Sequence, residues 1–219
     1  SNSGTLNWSF NSSALDALDE NDSLVLTYVV RADDGTATTD QNVVITITGT
    51  NDAPVLTAAG LNAVEDGSPV TATASTADPD QSSTATYSIS SAPVKGSASV
   101  DTSTGQYTFD PGSDFQNLAV GETENVTFQL TVTDDAGATD VETVTVQVTG
   151  TNDAPTVTAL SDTKTTDDAS FTIDLLSTAN DVDTNDTLTI PAGETATAVD
   201  QVGNSVTVPS NAYSISGST

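Results

Sequence analysis

The chain has 219 residues, 31 of them acidic against three basic (Arg31, Lys95 and Lys164), giving a formal charge of −28. That balance excludes nucleic-acid binding, which needs clustered Lys and Arg, and simple attraction to anionic lipid. Cysteine and histidine are both absent, so disulfides, thiolate metal sites, imidazole ligands and a histidine general base are excluded together. No apolar run reaches the roughly 18 residues of a membrane span. Residues 1–20 lack the basic-then-apolar pattern of a signal peptide, so any export signal is expected elsewhere.

In chain order, residues 24–32 and 43–48 alternate apolar and polar side chains, the pattern of strands with one buried face. Between them Asp33-Asp34-Gly35 supplies the Asp and Gly of a hairpin turn, with either Asp also a candidate cation ligand. Then comes Gly49-Thr50-Asn51-Asp52-Ala53-Pro54, which is spelled again, unchanged, at Gly150-Thr151-Asn152-Asp153-Ala154-Pro155, 101 residues on. Gly49 is read as freeing the chain to turn out of its strand, and Pro54 as fixing φ and biasing Ala53 to an extended form. The stretch reads as a rigid, oxygen-rich joint between two units.

Past the joint, Glu65-Asp66-Gly67-Ser68 leads into a strand near residues 70–73, and Ala77-Asp78-Pro79-Asp80 follows. Trp8, Phe109, Phe115 and Tyr213 fall on matched positions and are assigned to cores in preference to a sugar-stacking platform. Residues 126–132 and 141–148 form a second alternating pair around Asp134-Asp135-Ala136-Gly137. After the second joint, Thr166-Asp167-Asp168-Ala169 is read as a loop cap, residues 171–175 as a strand, and Asn180-Asp181-Val182-Asp183 as the counterpart of residues 77–80.

The repeat period, the Val, Thr, Ile and Ser richness and the absence of any needed helix predict an all-β chain of tandem Ig-like antiparallel β-sandwich repeats of about 100 residues. The expected division is 1–53 as the C-terminal half of a repeat, 54–154 as a complete repeat and 155–219 as the N-terminal part of a further one. A half sandwich exposes an apolar face and open strand edges. The end segments are therefore expected either to pair with complementary half-repeats of other chains or to mark a fragment boundary.

Asp-x-Asp pairs place two carboxylates close together, which repel unless a cation joins them. Calcium suits such a site, since it takes about 6–8 oxygen ligands at about 2.3–2.6 Å with forgiving geometry. Asn51 and Asp52 at the joint would contribute a side-chain carbonyl and a carboxylate, and Asp78 and Asp80 a carboxylate pair.

The repeated joint, the Val132-Thr133-Asp134-Asp135-Ala136-Gly137 hairpin and the 175–183 stretch resemble bacterial cadherin-like and VCBS-type repeats, found in tandem in large exported adhesins of the calcium-binding RTX class. The resemblance implies cadherin-like sandwiches with calcium at each junction between neighbours. Carried over residue by residue, it implies Asn51, Asp52, Asp78, Asp80 and Asp134 or Asp135 at the first junction, and Asn152, Asp153, Asp181 and Asp183 at the second. Glu65 and Asp110 match acids that a unit offers to the junction at its far end, while Gly49 and Gly150 stand where cadherins have another Asp. One or two ions per joint are expected.

The expected function is that of a calcium-rigidified spacer in a secreted or surface-anchored bacterial adhesin serving cell adhesion or biofilm formation. Its partners would be neighbouring repeats, with no membrane insertion. The alternative is an adhesion module binding surface glycan or protein, which predicts Trp8 or Tyr213 exposed in a concave site. No enzyme is expected: a serine triad lacks its His, and no carboxylate pair stands out from the other acids.

Overall fold

The computed structural model describes residues 9, 15–80, 83–163, 174, 176–190, 198–199 and 205–206. Trp8, Tyr213, the Asp167-Asp168 cap and the strand expected at 171–175, Asp174 apart, lie outside the described residues.

The first alternating pair forms a hairpin of β1 (Ser23–Asp33) and β2 (Thr38–Thr48), antiparallel from Ser23↔Thr48 to Asp33↔Thr38. Gly35 closes its turn at φ +85, in the left-handed region that favours glycine. Then follow β3 (Val55–Thr57), β4 (Leu61–Val64), β5 (Val70–Thr73), β6 (Ser75–Ala77), β7 (Thr86–Ser91), β8 (Ser97–Val100), β9 (Gln106–Asp110), β10 (Thr123–Thr133) and β11 (Thr139–Thr149). Two short pairings complete the described strands, β12 (Thr156–Val157) with β13 (Ala179–Asn180), and β14 (Ala198–Val199) with β15 (Ser205–Val206).

Strands β4, β11, β10 and β7 form one sheet in that order, antiparallel except for the parallel β4–β11 pair, and β5, β9 and β8 form the facing sheet. The alternation decides what lies between them. Val126, Phe128, Leu130 and Val132 of β10 and Val144, Val146 and Val148 of β11 turn inward and are buried, while Thr127, Gln129, Thr145 and Gln147 between them face out. Tyr107 and Phe109 of β9 close the core from the other side, with Tyr107 edge-on to Phe128 at 6.1 Å and Phe109 edge-on to Phe115 at 6.4 Å. The Tyr107 hydroxyl donates to the Ala59 carbonyl at 2.5 Å, so its polar end is satisfied. Phe109 and Phe115 are thus core residues, as their matched positions implied.

The short β3–β6 pair stands where the chain enters this sandwich and is pinned to it by the Leu56 amide, which donates to Asp140 Oδ2 of β11 at 2.8 Å. This fixes the Gly49–Pro54 joint at one end of the sandwich. The β12–β13 pair repeats β3–β6 after the second joint, with Thr156↔Asn180 in place of Val55↔Ala77.

Candidate metal centres at the two joints

Each joint begins with a glycine that the fold leaves no room to replace. Gly49 donates to the Asp22 carbonyl at 2.9 Å, and Gly150 to the Glu122 carbonyl at 2.8 Å. A Cβ on Gly49 would sit 2.3 Å from the carbonyl oxygens of Leu18 and Asp19, and one on Gly150 would sit 2.3 Å from that of Leu118 and 2.4 Å from that of Ala119. Neither glycine has a left-handed φ. The glycine is therefore needed for close backbone approach, a different reason from the turning freedom expected from the sequence.

Beyond the glycine the two copies repeat one hydrogen-bond pattern. The Asn51 amide donates to the Asp52 carbonyl at 2.9 Å, and that of Asn152 to the Asp153 carbonyl at 2.6 Å. The backbone amide of Asp52 donates to Asp80 Oδ2, and that of Asp153 to Asp183 Oδ2, both at 2.9 Å. Within each Asp-x-Asp, the first carboxylate accepts the amide of the second residue, Asp78 from Asp80 at 3.0 Å and Asp181 from Asp183 at 3.2 Å. The first acid thus closes a local turn, and the second is buried against the joint.

In the second joint, Glu65 reaches across from the turn after β4. Its Oε1 accepts the Thr151 amide at 2.6 Å and the Thr151 hydroxyl at 3.1 Å. Glu65, Asp153 and Asp183 each bring a carboxylate oxygen within 4.8 Å of the others. Among the described residues, the buried side-chain oxygens without a hydrogen-bond partner are Glu65 Oε2, Asp80 Oδ1, Asp153 Oδ2, Asp183 Oδ1 and the Thr131 hydroxyl. Four of the five are joint carboxylates, and in Glu65, Asp80 and Asp183 the opposite oxygen anchors the backbone of the joint. One oxygen is anchored and the other presented, an arrangement that is costly for carboxylates alone and suits oxygen ligands of a hard cation. Burial, and then the charges of Asp66, Asp183 and Asp181, push the Asp153 carboxyl above its usual range.

The first joint is completed by the β10–β11 turn. Asp134 is buried there, accepting the Ala138 amide on Oδ1 at 2.7 Å and the Asn51 amide on Oδ2 at 2.9 Å. The Asn51 hydrogen bond is the chief reason its carboxyl lies below the usual range, against the opposing effect of burial. The side-chain nitrogen of Asn51 makes this contact and the one to the Asp52 carbonyl, and its carbonyl oxygen is of the type that a hard cation takes. Asp135 accepts the Thr84 amide at 3.2 Å. A cavity of about 240 Å³ opens here, lined by Asn51, Asp80, Ser83, Asp135 and Ala136, and on its far wall by Asp19, Glu20 and Asn21.

The structure therefore gathers Asn51, Asp52, Asp78, Asp80, Asp134 and Asp135 at one joint and Glu65, Asn152, Asp153, Asp181 and Asp183 at the other. Three further expected ligands close turns. Asp33 accepts the Gly35 amide at 2.7 Å, Asp34 accepts from Thr36 and Ala37, and Asp110 accepts the Gly112 amide at 3.0 Å. Asp19, Glu20, Asn21, Asp66, Glu122 and Asn185 were not singled out from the sequence. The only sequence signal for them is that Asp66 adjoins Glu65 and that Asp19 and Glu20 lie in an acidic run before β1.

Residues 51–150 match the family model of the bacterial cadherin-like domain, from within one joint to the opening of the next. Among solved structures, the chain is similar to Protocadherin Gamma B7 extracellular cadherin domains 1–4, at 20% identity and a TM-score of 0.51, over 88% of this chain and 48% of that one. It also matches Protocadherin Gamma B2 extracellular cadherin domains 3–6 (21% identity, TM-score 0.40, 68% and 36% covered). Human mucin-like protocadherin EC1-2 matches at 18% identity and a TM-score of 0.41, with 67% and 73% covered. The chain spans about half the length of the first of these. Comparison with curated proteins gives no match. Cadherin-like domains are extracellular modules of adhesion type that generally bind calcium, and the family is not known as enzymatic. Among the described residues no helix is long and apolar enough to cross a membrane.

Proposed function

We propose that the chain is a calcium-stiffened spacer, a run of extender repeats in an exported, surface-anchored bacterial adhesin of the RTX class that serves cell adhesion or biofilm formation. The observation that carries this reading is the trio Glu65, Asp153 and Asp183. The three acids come from before, within and after one joint, and each has a buried oxygen without a protein partner. A divalent cation held by them would tie two successive repeats together, and its absence would leave like charges pushing the joint open. Asn152 and Asp181 belong to the same joint. Asn51, Asp52, Asp78, Asp80, Asp134 and Asp135, with Asp19 and Glu20 of the preceding loop, form the corresponding set at the first. Binding only to the aligned, folded state adds stability by mass action, about 2.7 kcal/mol at a hundredfold excess over Kd.

Thermal unfolding and small-angle scattering in calcium, in magnesium alone and in chelator test the reading. The expected result is a calcium-specific rise in Tm together with a longer, stiffer particle. Equal melting and equal dimensions in all three conditions would sink it.

A further inference from the structure

Residues 54–154 hold one Lys or Arg, Lys95, in a stretch otherwise rich in acids. It lies in the turn between β7 and β8, where its ammonium donates to Glu124 Oε2 of β10 at 2.7 Å and stands 5.3 Å from the centre of the Phe115 ring. Both charged side chains are partly buried, which strengthens the ion pair and the cation–π contact over those of an open surface. The next residue adds a third tie, the Gly96 amide donating to Asp114 Oδ2 at 2.7 Å.

These ties fall at the two ends of one loop. The chain enters the 115–122 loop through Asp114 and Phe115 and leaves it into β10, where Glu124 stands. The turn at Lys95 therefore closes the base of that loop.

What the loop holds is the second joint, at three points. Gln116 Nε2 donates to Asp66 Oδ1 at 2.9 Å. The Gly150 amide donates to the Glu122 carbonyl at 2.8 Å, and the Gly121 amide to the Gly150 carbonyl at 3.1 Å. The amide and hydroxyl of Thr184 donate to the Asn117 carbonyl at 3.3 and 3.0 Å, and the Asn185 amide donates to Glu122 Oε1. Each member of the acidic trio thus has a chain neighbour fixed by the loop: Asp66 adjoins Glu65, Gly150 precedes the Thr151-Asn152-Asp153 run, and Thr184 follows Asp183. A hard cation takes its oxygens at about 2.3–2.6 Å, so displacing any of the three points is felt as lost affinity.

We propose that Lys95 is a positioning residue of the cation site at the second joint: it sets the 115–122 loop, and the loop sets the spacing of Glu65, Asp153 and Asp183. The proposal rests on the calcium reading given above. The first joint takes its acids from the same sandwich, Asp78, Asp80, Asp134 and Asp135, without this loop.

The chain has no cysteine, so spin labels can be placed by substitution at exposed positions. Ser88→Cys with Ala159→Cys reads the second joint, and Thr27→Cys with Ser88→Cys the first. In the full chain, calcium chloride is titrated and the midpoint at which each distance distribution narrows is recorded. Lys95→Met keeps the stem over Phe115 and loses the charge. It is expected to raise the second midpoint about fivefold, less than the roughly 10–100-fold typical of a group bonded directly to a ligand, and to leave the first within about twofold. Lys95→Arg, which keeps the charge and can face both partners, is expected to bring the second midpoint back. A general loosening of the sandwich would move both midpoints together, and loss of the positive field alone would lower the second one. A shift shared by both joints, a lower or unchanged second midpoint, or no recovery with Lys95→Arg overturns the proposal and leaves the calcium reading intact. Lys95→Gln takes the place of Lys95→Met if circular dichroism shows its sheets lost. If calcium narrows neither distribution in the otherwise unaltered chain, the calcium reading and this proposal fall together.

Discussion

The hairpins β1–β2 and β10–β11 are the same object in two settings. Each pairs 11 residues with 11, from Ser23↔Thr48 to Asp33↔Thr38 and from Thr123↔Thr149 to Thr133↔Thr139, and each alternates apolar and polar residues, along Leu24 to Ala32 with Val43 to Ile47 in one and along Val126 to Val132 with Val144 to Val148 in the other. Yet Leu130 and Val144 are fully buried, whereas their counterparts Val30 and Val43 are 45% and 39% exposed. The difference lies in the opposite layer. Tyr107, Phe109 and Phe115 cover the second hairpin, and among the described residues nothing equivalent covers the first. Alternation thus sets strand, register and face, but burial belongs to the facing sheet, and a two-stranded ladder by itself is only marginally stable.

The largest expected effect breaks this comparison at its centre. Leu130→Ala removes methyl groups from a closed core and should cost about 2–5 kcal/mol. Val30→Ala, on an open face, should stay within about 0.5 kcal/mol. Calorimetry on the two variants reads this directly, and similar losses at both positions would mean that β1–β2 is covered in solution.

A second pair of substitutions should erase the contrast. Gly49→Ala and Gly150→Ala meet the same obstacle, a backbone carbonyl at 2.3 Å that cannot swing away as a side-chain end would. Each should cost about 1–3 kcal/mol through forced backbone movement, and each should weaken calcium binding at its own joint. Calcium titration of the two variants, alongside their melting curves, checks this. A neutral Gly150→Ala would show that the joint does not lie against the 115–122 loop.

These contrasts mark where the sequence is legible. The two hairpins, their turns and the repeat could be read because period-2 alternation and Asp/Gly turns are local signals. Strands β4, β7 and β8 gave no comparable signal, since runs of only four to six residues are too short for alternation to stand out. At the joints, Asn51, Asp52, Asp78 and Asp80 were found because motif and spacing keep them near in sequence. Asp34 carries the same motif signal as Asp134, and among the described residues it serves its own turn. What separates them is that Asn51 reaches Asp134 from 83 residues away. Glu122 and Asn185 are likewise joined across 63 residues by tertiary packing alone, which no spacing rule encodes.

The smallest expected effect concerns two exposed turn acids, one in each setting. Asp34 accepts the amide and hydroxyl of Thr36 and the amide of Ala37, and Asp101, between β8 and β9, accepts those of Ser103 and the amide of Thr104. These hydrogen bonds hold both carboxyls at about 2, the largest contribution coming from the Thr36 hydroxyl for Asp34 and the Thr104 amide for Asp101. Because the folded value lies below the ordinary one near 3.9, each acid contributes stability that is fully present above about pH 4 and is lost as pH falls through about 2. Only Asp101 ties strands that pack over the core, so only its loss should be felt by the cooperative unit. In chelator, Asp101→Ala should flatten the fall in Tm between pH 4 and 2, while Asp34→Ala should leave the main transition where it is. If Asp34→Ala moved that transition as far as Asp101→Ala does, the first hairpin would be unfolding with the sandwich, and the two settings would be energetically one.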